Sequence, residues 1–217
     1  MLVVSDFNGT LSHGSPVIGL VGWVGENQSK LRKNIFMAKI MPSWILAKRG
    51  LIDWNKWVID MFISCVPLLE DATPELFEEV ISYTMETQLW AKRRLDMIER
   101  ISGHALQGDD VYIATGMWQP TVAHFAAHIG AKGLGTEIKF QNGKMSLTEP
   151  IAHGQDKAEK IRKHLGVERI DVAYGDTSAD IPMLEMADHP VAVYPDATLK
   201  AVAQERGWEI FGDRADD

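Results

Sequence analysis

The sequence predicts an α/β fold: a doubly wound parallel sheet with an inserted helical cap and a small β-hairpin. Three observations predict it. Short apolar runs recur at residues 2–5, 111–114, 170–174 and 191–194, each followed by a polar or glycine-rich turn, as expected of parallel strands covered on both faces. Helical patterns at residues 85–101, 121–129, 155–165 and 181–186 can supply the crossovers. About a hundred residues separate the first run from the second. A crossover needs roughly a dozen, so this stretch reads as an inserted unit.

The elements follow in chain order. Residues 2–5 form the first strand and lead directly into Asp6. Within the insertion, Asp53 is placed to cap a helix whose apolar face is Trp54, Trp57, Val58, Met61 and Cys65. Thr73 followed by Pro74 starts another, running through Leu76, Phe77, Val80 and Ile81. Residues 137–140 and 144–147 flank Asn142 and Gly143, a pair that favours a two-residue hairpin turn. In such sheets ligands bind beyond the carboxyl ends of the strands, so residues just after each run matter most.

Composition limits the functional classes. The chain has 217 residues, 46% of them hydrophobic, enough for a sizeable core. Its net charge of -8 offers no overall basic excess, and no nucleic-acid partner is expected. Cys65 is the only cysteine, which excludes an internal disulfide and fits a reducing compartment. The start of the sequence lacks a signal-peptide pattern, and the expected location is cytoplasmic. The longest apolar stretch, residues 16–25, is too short to span a bilayer and contains Gly19 and Gly22, so membrane contact is not expected.

Four short motifs carry chemistry. Asp6-Phe7-Asn8-Gly9-Thr10 follows the first strand, where a carboxylate can attack phosphorus; the same residues are also ordinary turn formers. Thr115-Gly116 follows the second run, and its hydroxyl and amides can hold a phosphoryl oxygen. Lys157, near a helix start, can neutralise charge on a transferring group. In Gly175-Asp176-Thr177-Ser178-Ala179-Asp180, two carboxylates four residues apart offer hard oxygen ligands to Mg2+, although Asp180 could also simply cap a helix.

In this order, the motifs resemble the four-motif signature of the haloacid dehalogenase superfamily. Residues 172–186, residues 190–196 and Glu205-Arg206-Gly207-Trp208 are similar to its phosphoserine-phosphatase-like branch, whose helical cap is inserted after the first motif. The likeness covers residues 1–12 and about 85–211 and is weak in the cap. It implies a Rossmann-like catalytic core of residues 1–12 and 86–217 and a cap of residues 13–85. It also implies Mg2+-dependent hydrolysis of a small phosphorylated substrate through an aspartyl phosphate. Residue by residue, Asp6 becomes nucleophile and metal ligand. Asp176 and the backbone carbonyl of Asn8 become further ligands, and Asp180 supports the metal site or orients Lys157. Thr10, Thr115 and the Gly116 amide hold the phosphoryl group, and Lys157 pairs with Asp6 and the phosphate.

Asn8 departs from the pattern. The family's phosphatases usually carry aspartate at this catalytic position, to protonate the leaving group and then activate water. An amide keeps the backbone contact and can hydrogen-bond, but it cannot shuttle a proton. Three accounts stay open: a change introduced to trap a substrate, a natural enzyme with an easily expelled leaving group or another donor, or a non-catalytic phospho-ligand binder.

The cap has its own character. Residues 11–60 contain seven basic and three acidic residues, suited to drawing in an anionic ester or to a solvated helix face, with contact of the basic and aromatic mixture with a membrane surface as the lesser alternative. Trp23, Trp44, Trp54 and Trp57, with Met37, Met41 and Met61, are read mainly as cap core, with one or two lining a pocket for an apolar part of the substrate. His124 and His128 are four apart with no third ligand and are read as helix packing or surface. Substrate identity and oligomeric state are not specified by the sequence.

Overall fold

The computed structural model describes residues 1–69, 71–141 and 144–213. Its strands are β1 (Leu2–Ser5), β2 (Asp110–Trp118), β3 (Lys132–Thr136), β4 (Ile138–Gln141), β5 (Lys144–Leu147), β6 (Ile170–Gly175), β7 (Ala187–Val193) and β8 (Glu209–Phe211). Six of them form one sheet in the order β3-β2-β1-β6-β7-β8, every adjacent pair parallel. β4 and β5 pair antiparallel, from Ile138↔Leu147 to Gln141↔Lys144. The expected turn at Asn142 and Gly143 lies outside the described residues.

Alternation along the strands explains why both faces are covered. Val3, Val172, Tyr174, Val191 and Val193 face one core, packed with α5 (Leu95–Leu106) and α6 (Gln119–Ala127). Val4, Ala173 and Ala192 face the other, beneath α7 (Gln155–Leu165), α8 (Ile181–Leu184) and α9 (Ala197–Arg206). A period of two with both sides apolar yields the continuous apolar runs seen in the sequence.

The segment between β1 and α5 is helical: α1 (Pro16–Asn27), α2 (Lys30–Lys48), α3 (Trp54–Cys65) and α4 (Pro74–Thr84). Asp53 Oδ1 accepts from Lys56 N at 2.7 Å and Thr73 Oγ1 accepts from Leu76 N at 3.2 Å, the caps expected from their positions. Among the described residues, no helix is long and apolar enough to cross a membrane.

Residues 85–101 are not one helix. After α4 comes a π-helical turn, Met85–Leu89, and then a turn at residues 90–92 and a single bridge at Arg93 before α5. That stretch crosses back beside the chain leaving the first motif: Arg94 N donates to Leu11 O at 2.8 Å and His13 N donates to Lys92 O at 3.1 Å. Ser12 bridges Arg93 antiparallel, and its hydroxyl donates to Leu89 O at 2.7 Å. These pairings capture backbone groups that a continuous helix would have used internally.

Candidate active site

Chain order reverses between β1 and β6, which leaves a crevice at their carboxyl ends where such sheets take ligands. Asp6 leaves β1 with its N–H donated to Tyr174 O at 2.8 Å, and Asp176 follows Gly175 at the end of β6. The turn after Asp6 is closed by Leu11 N to Phe7 O at 2.9 Å and Gly9 N to Ser12 O at 2.7 Å. Gly9 sits at φ +97, and a Cβ there would meet Asp176 Oδ2 at 2.0 Å. Only glycine lets the first motif approach the fourth so closely.

The side chains converge. Thr10 Oγ1 lies 3.3 Å from both Asp6 Oδ2 and Asp176 Oδ1. Lys157, on the first turn of α7, donates to Asp6 Oδ1 at 2.8 Å and to Asp180 Oδ1. The other Asp180 oxygen accepts from Asp176 N at 3.0 Å and Thr177 N at 3.1 Å, closing a capping box on the 3-10 turn Ser178–Asp180. Asp6, Asp176, Asp180 and Lys157 are all buried.

Electrostatics follows from that burial. Desolvation pushes Asp6 up to about 6, against the pull of Lys157. Burial alone would lower Lys157, but Asp180 and Asp6 outweigh it and hold the ammonium above its usual value. One oxygen from each of Asp6, Asp176 and Asp180 lies within 4.8 Å of the others. Three carboxylates and one ammonium leave an acidic excess in a buried site, and this all-oxygen donor set suits a hard divalent cation.

The second motif is placed less simply. Thr115 and Gly116 lie inside β2, which runs on to Trp118, where the register with β3 shifts between Ala114 and Trp118. Thr115 Oγ1 accepts from Met117 N at 3.2 Å, and Gly116 O accepts from Thr136 Oγ1 at 2.9 Å. Such irregularities re-aim groups at a sheet's edge beside a site. As Ile113 pairs with Ser5, Thr115 lies at the same end of the sheet as Asp6. Asn8 Nδ2 lies 3.5 Å from Gly14 O, at the entry to the helical segment.

Four contributors had no role in the sequence reading. Arg94 Nε donates to Gly9 O at 2.7 Å, tying the return crossing to the first motif. Ser12 Oγ accepts from Gly14 N at 3.0 Å. Asp196 caps α9 and accepts from Ser178 N at 2.9 Å, bracing the fourth motif. His153 meets Asn55 of α3 at 3.0 Å, and its pKa is lowered by burial and by Lys157. Asp196 carried a local signal, a capping residue before a helical run; Arg94, Ser12 and His153 carried none. His124 and His128 stack on one another at 5.3 Å, and His128 packs on Trp90, as packing residues do.

Comparison with known proteins gives the family and the fold. Phosphoserine phosphatase SerB1 of Mycobacterium tuberculosis is 33% identical over 144 residues, 63% of this chain and 44% of its own length. The inhibition of morphological differentiation protein of Streptomyces azureus is 30% identical over 150 residues, 67% of this chain and 46% of its own. The chain thus spans less than half the length of either relative. A Bordetella pertussis protein of unknown function superposes with a TM-score of 0.79 at 18% identity, covering 97% of both chains. A substrate-bound phosphoserine phosphatase complex superposes at 0.63 with 18% identity, covering 98% of this chain and 93% of the other; these likenesses are of fold. The haloacid dehalogenase-like hydrolase family matches residues 3–185, and the chain belongs to that family.

Proposed function

We propose that this chain is a cytoplasmic phosphatase that hydrolyses a small phosphomonoester through an aspartyl phosphate on Asp6. The observation that carries the reading is the buried contact set of Lys157 with Asp6 and Asp180, with Thr10 between Asp6 and Asp176. Asp6, Asp176 and the backbone carbonyl of Asn8 would hold Mg2+, which when bound neutralises charge on the phosphoryl oxygens. Asp180 acts from behind: its oxygens are taken by Lys157 and by the amides of Asp176 and Thr177, so it orients the lysine and the loop. Lys157 offsets part of the burial penalty on the Asp6 carboxylate and aims it, and Thr10, Thr115 and the Gly116 amide receive the phosphoryl oxygens.

The chain divides, in this reading, into a catalytic core of residues 1–12 and 86–217 and a cap of residues 13–85. The adjacent passages at residues 11–13 and 92–94, joined by Arg94 N to Leu11 O and His13 N to Lys92 O, support two connections between the parts. Asn8 supports an impaired or substrate-trapping form, since its amide shuttles no proton and bends toward Gly14. The same observation favours a second reading, a phospho-ligand binder without turnover.

A panel of phosphorylated metabolites with Mg2+ tests the proposal on both the chain as it stands and its Asn8→Asp variant. Turnover, or a phosphate adduct located on Asp6 by peptide mass spectrometry, is expected from at least one of them and absent in Asp6→Asn. Binding of phosphate compounds with neither turnover nor adduct would leave the binder reading standing.

A further inference from the structure

The helix α2 turns an apolar face toward solvent. Of its 19 residues only Phe36 and Ala47 are buried. At about 100° per residue these two mark the inner side, and the opposite side carries Leu31, Ile35, Ala38, Pro42 and Ile45, all exposed. Leu31 is 68% exposed and Ile35 60%. Met41 and Leu46 widen the strip, while Leu51, at 70%, and Trp54, at 42%, carry it past the helix end. Asn34 is the one polar residue of the helix on this side; a solvent-facing helix side is ordinarily polar, and a side so predominantly apolar marks a contact surface.

The charges around the strip identify what it meets. Residues 30–52 hold six basic side chains and no acidic one, in a chain with 30 acidic and 22 basic residues. Lys30 and Lys48 fall along one edge of the strip, Arg32 and Lys39 along the other. Among the described residues no carboxylate pairs with Lys30, Lys39, Lys48 or Arg49. Apolar side chains at the centre of a helix face with cationic rims match the interfacial zone of a bilayer, where stems bury and heads reach phosphates. A tryptophan at the end of the strip suits the same depth. Two copies meeting through this face would instead set cationic rims against each other.

We propose that α2 and the turn to Trp54 dock this protein on an anionic lipid surface. The proposal is independent of the activity assigned to the Asp6 site. Flotation of the full chain with vesicles of phosphatidylcholine alone, or of phosphatidylcholine with phosphatidylglycerol, tests it. The protein should float with the anionic vesicles, stay behind with the neutral ones and be released by high salt. The double variant Ile35→Glu, Ile45→Glu should bind about tenfold more weakly or worse. Lys39→Glu with Lys48→Glu should also weaken flotation, with an unchanged thermal midpoint because both positions are exposed; it carries the test if the first variant misfolds. Absence of flotation with anionic vesicles, or flotation that neither variant weakens, overturns the proposal. Self-association in sedimentation velocity that Ile35→Glu, Ile45→Glu abolishes, without vesicle binding, assigns the strip to a second copy and overturns it too.

Discussion

Lys157 Nζ donates at once to Asp6 and to Asp180, so a single ammonium joins the first motif to the fourth. Removing it leaves both carboxylates buried without a cation. Lys157→Met should therefore lower the unfolding free energy of the metal-free protein by about 3–5 kcal/mol, read by urea denaturation. A loss below about 1 kcal/mol would mean that the pair is no better than an exposed one.

The elevated Asp6 sets a pH dependence. Its folded-state pKa of about 6 stands above the ordinary 3.8. The folded protein thus holds the proton more firmly than the unfolded chain, and Asp6 contributes stability below about pH 4 that fades as pH rises through 6. A metal must displace that proton, so Mg2+ affinity should fall about tenfold per pH unit below pH 6 and level off above it. Titration calorimetry between about pH 5 and pH 7.5 checks this; a flat affinity contradicts it.

Gly9→Ala meets two obstacles, a φ of +97 and a contact with Asp176 Oδ2 at 2.0 Å. It should cost more than about 1 kcal/mol in stability. If Mg2+ raises the thermal midpoint of the unaltered protein, as the proposed function requires, that rise should vanish as well, because Asp176 is displaced. A variant with a normal midpoint and a normal metal response would show that the first and fourth motifs need not touch.

Asn8→Asp supplies a proton-carrying group two residues after Asp6. On a phosphomonoester that the protein turns over, kcat should rise by roughly 10²–10⁴. Loss of the contact to Gly14 O costs little, since at 3.5 Å it is at the limit of hydrogen bonding. An unchanged kcat would show that proton transfer at residue 8 does not limit the reaction.

Thr84 Oγ1 and Trp118 Nε1 are buried and find no partner among the described residues. Both line an apolar cavity between α1, α3, α4 and the end of β2. Thr84→Val exchanges an unpaired hydroxyl for a methyl of similar size and should stabilise the fold by about 1 kcal/mol. Destabilisation in chemical denaturation would mean that the hydroxyl has a use.

Much of the fold was legible because it is written locally. Strands apolar on both sides give continuous runs, and Asp53 and Thr73 announce their helices by capping chemistry. Asp6, Lys157, Asp176 and Asp180 were legible as a group because each follows a strand or starts a helix. What was not legible depends on distant partners. The break in residues 85–101 arises because Ser12, Leu11 and His13 capture backbone groups there. β3 has two glycines among its five residues and no apolar run. Arg94 looks like any surface arginine until Gly9 O is found beside it.

The place of β1 in the sheet has a further consequence for synthesis. It lies between β2 and β6, with Val3 beside Val111 on one side and Val172 on the other. On the ribosome this central strand emerges before both neighbours and must wait, unpaired, while the helices from Pro16 to Leu106 are made. Those helices can settle early through local contacts, whereas the sheet, with Asp6 at its centre, closes only after β6 has been delivered. Pausing of translation between β2 and β6 should therefore leave a nascent chain whose helical part resists protease while Asp6 and its strand remain cleavable.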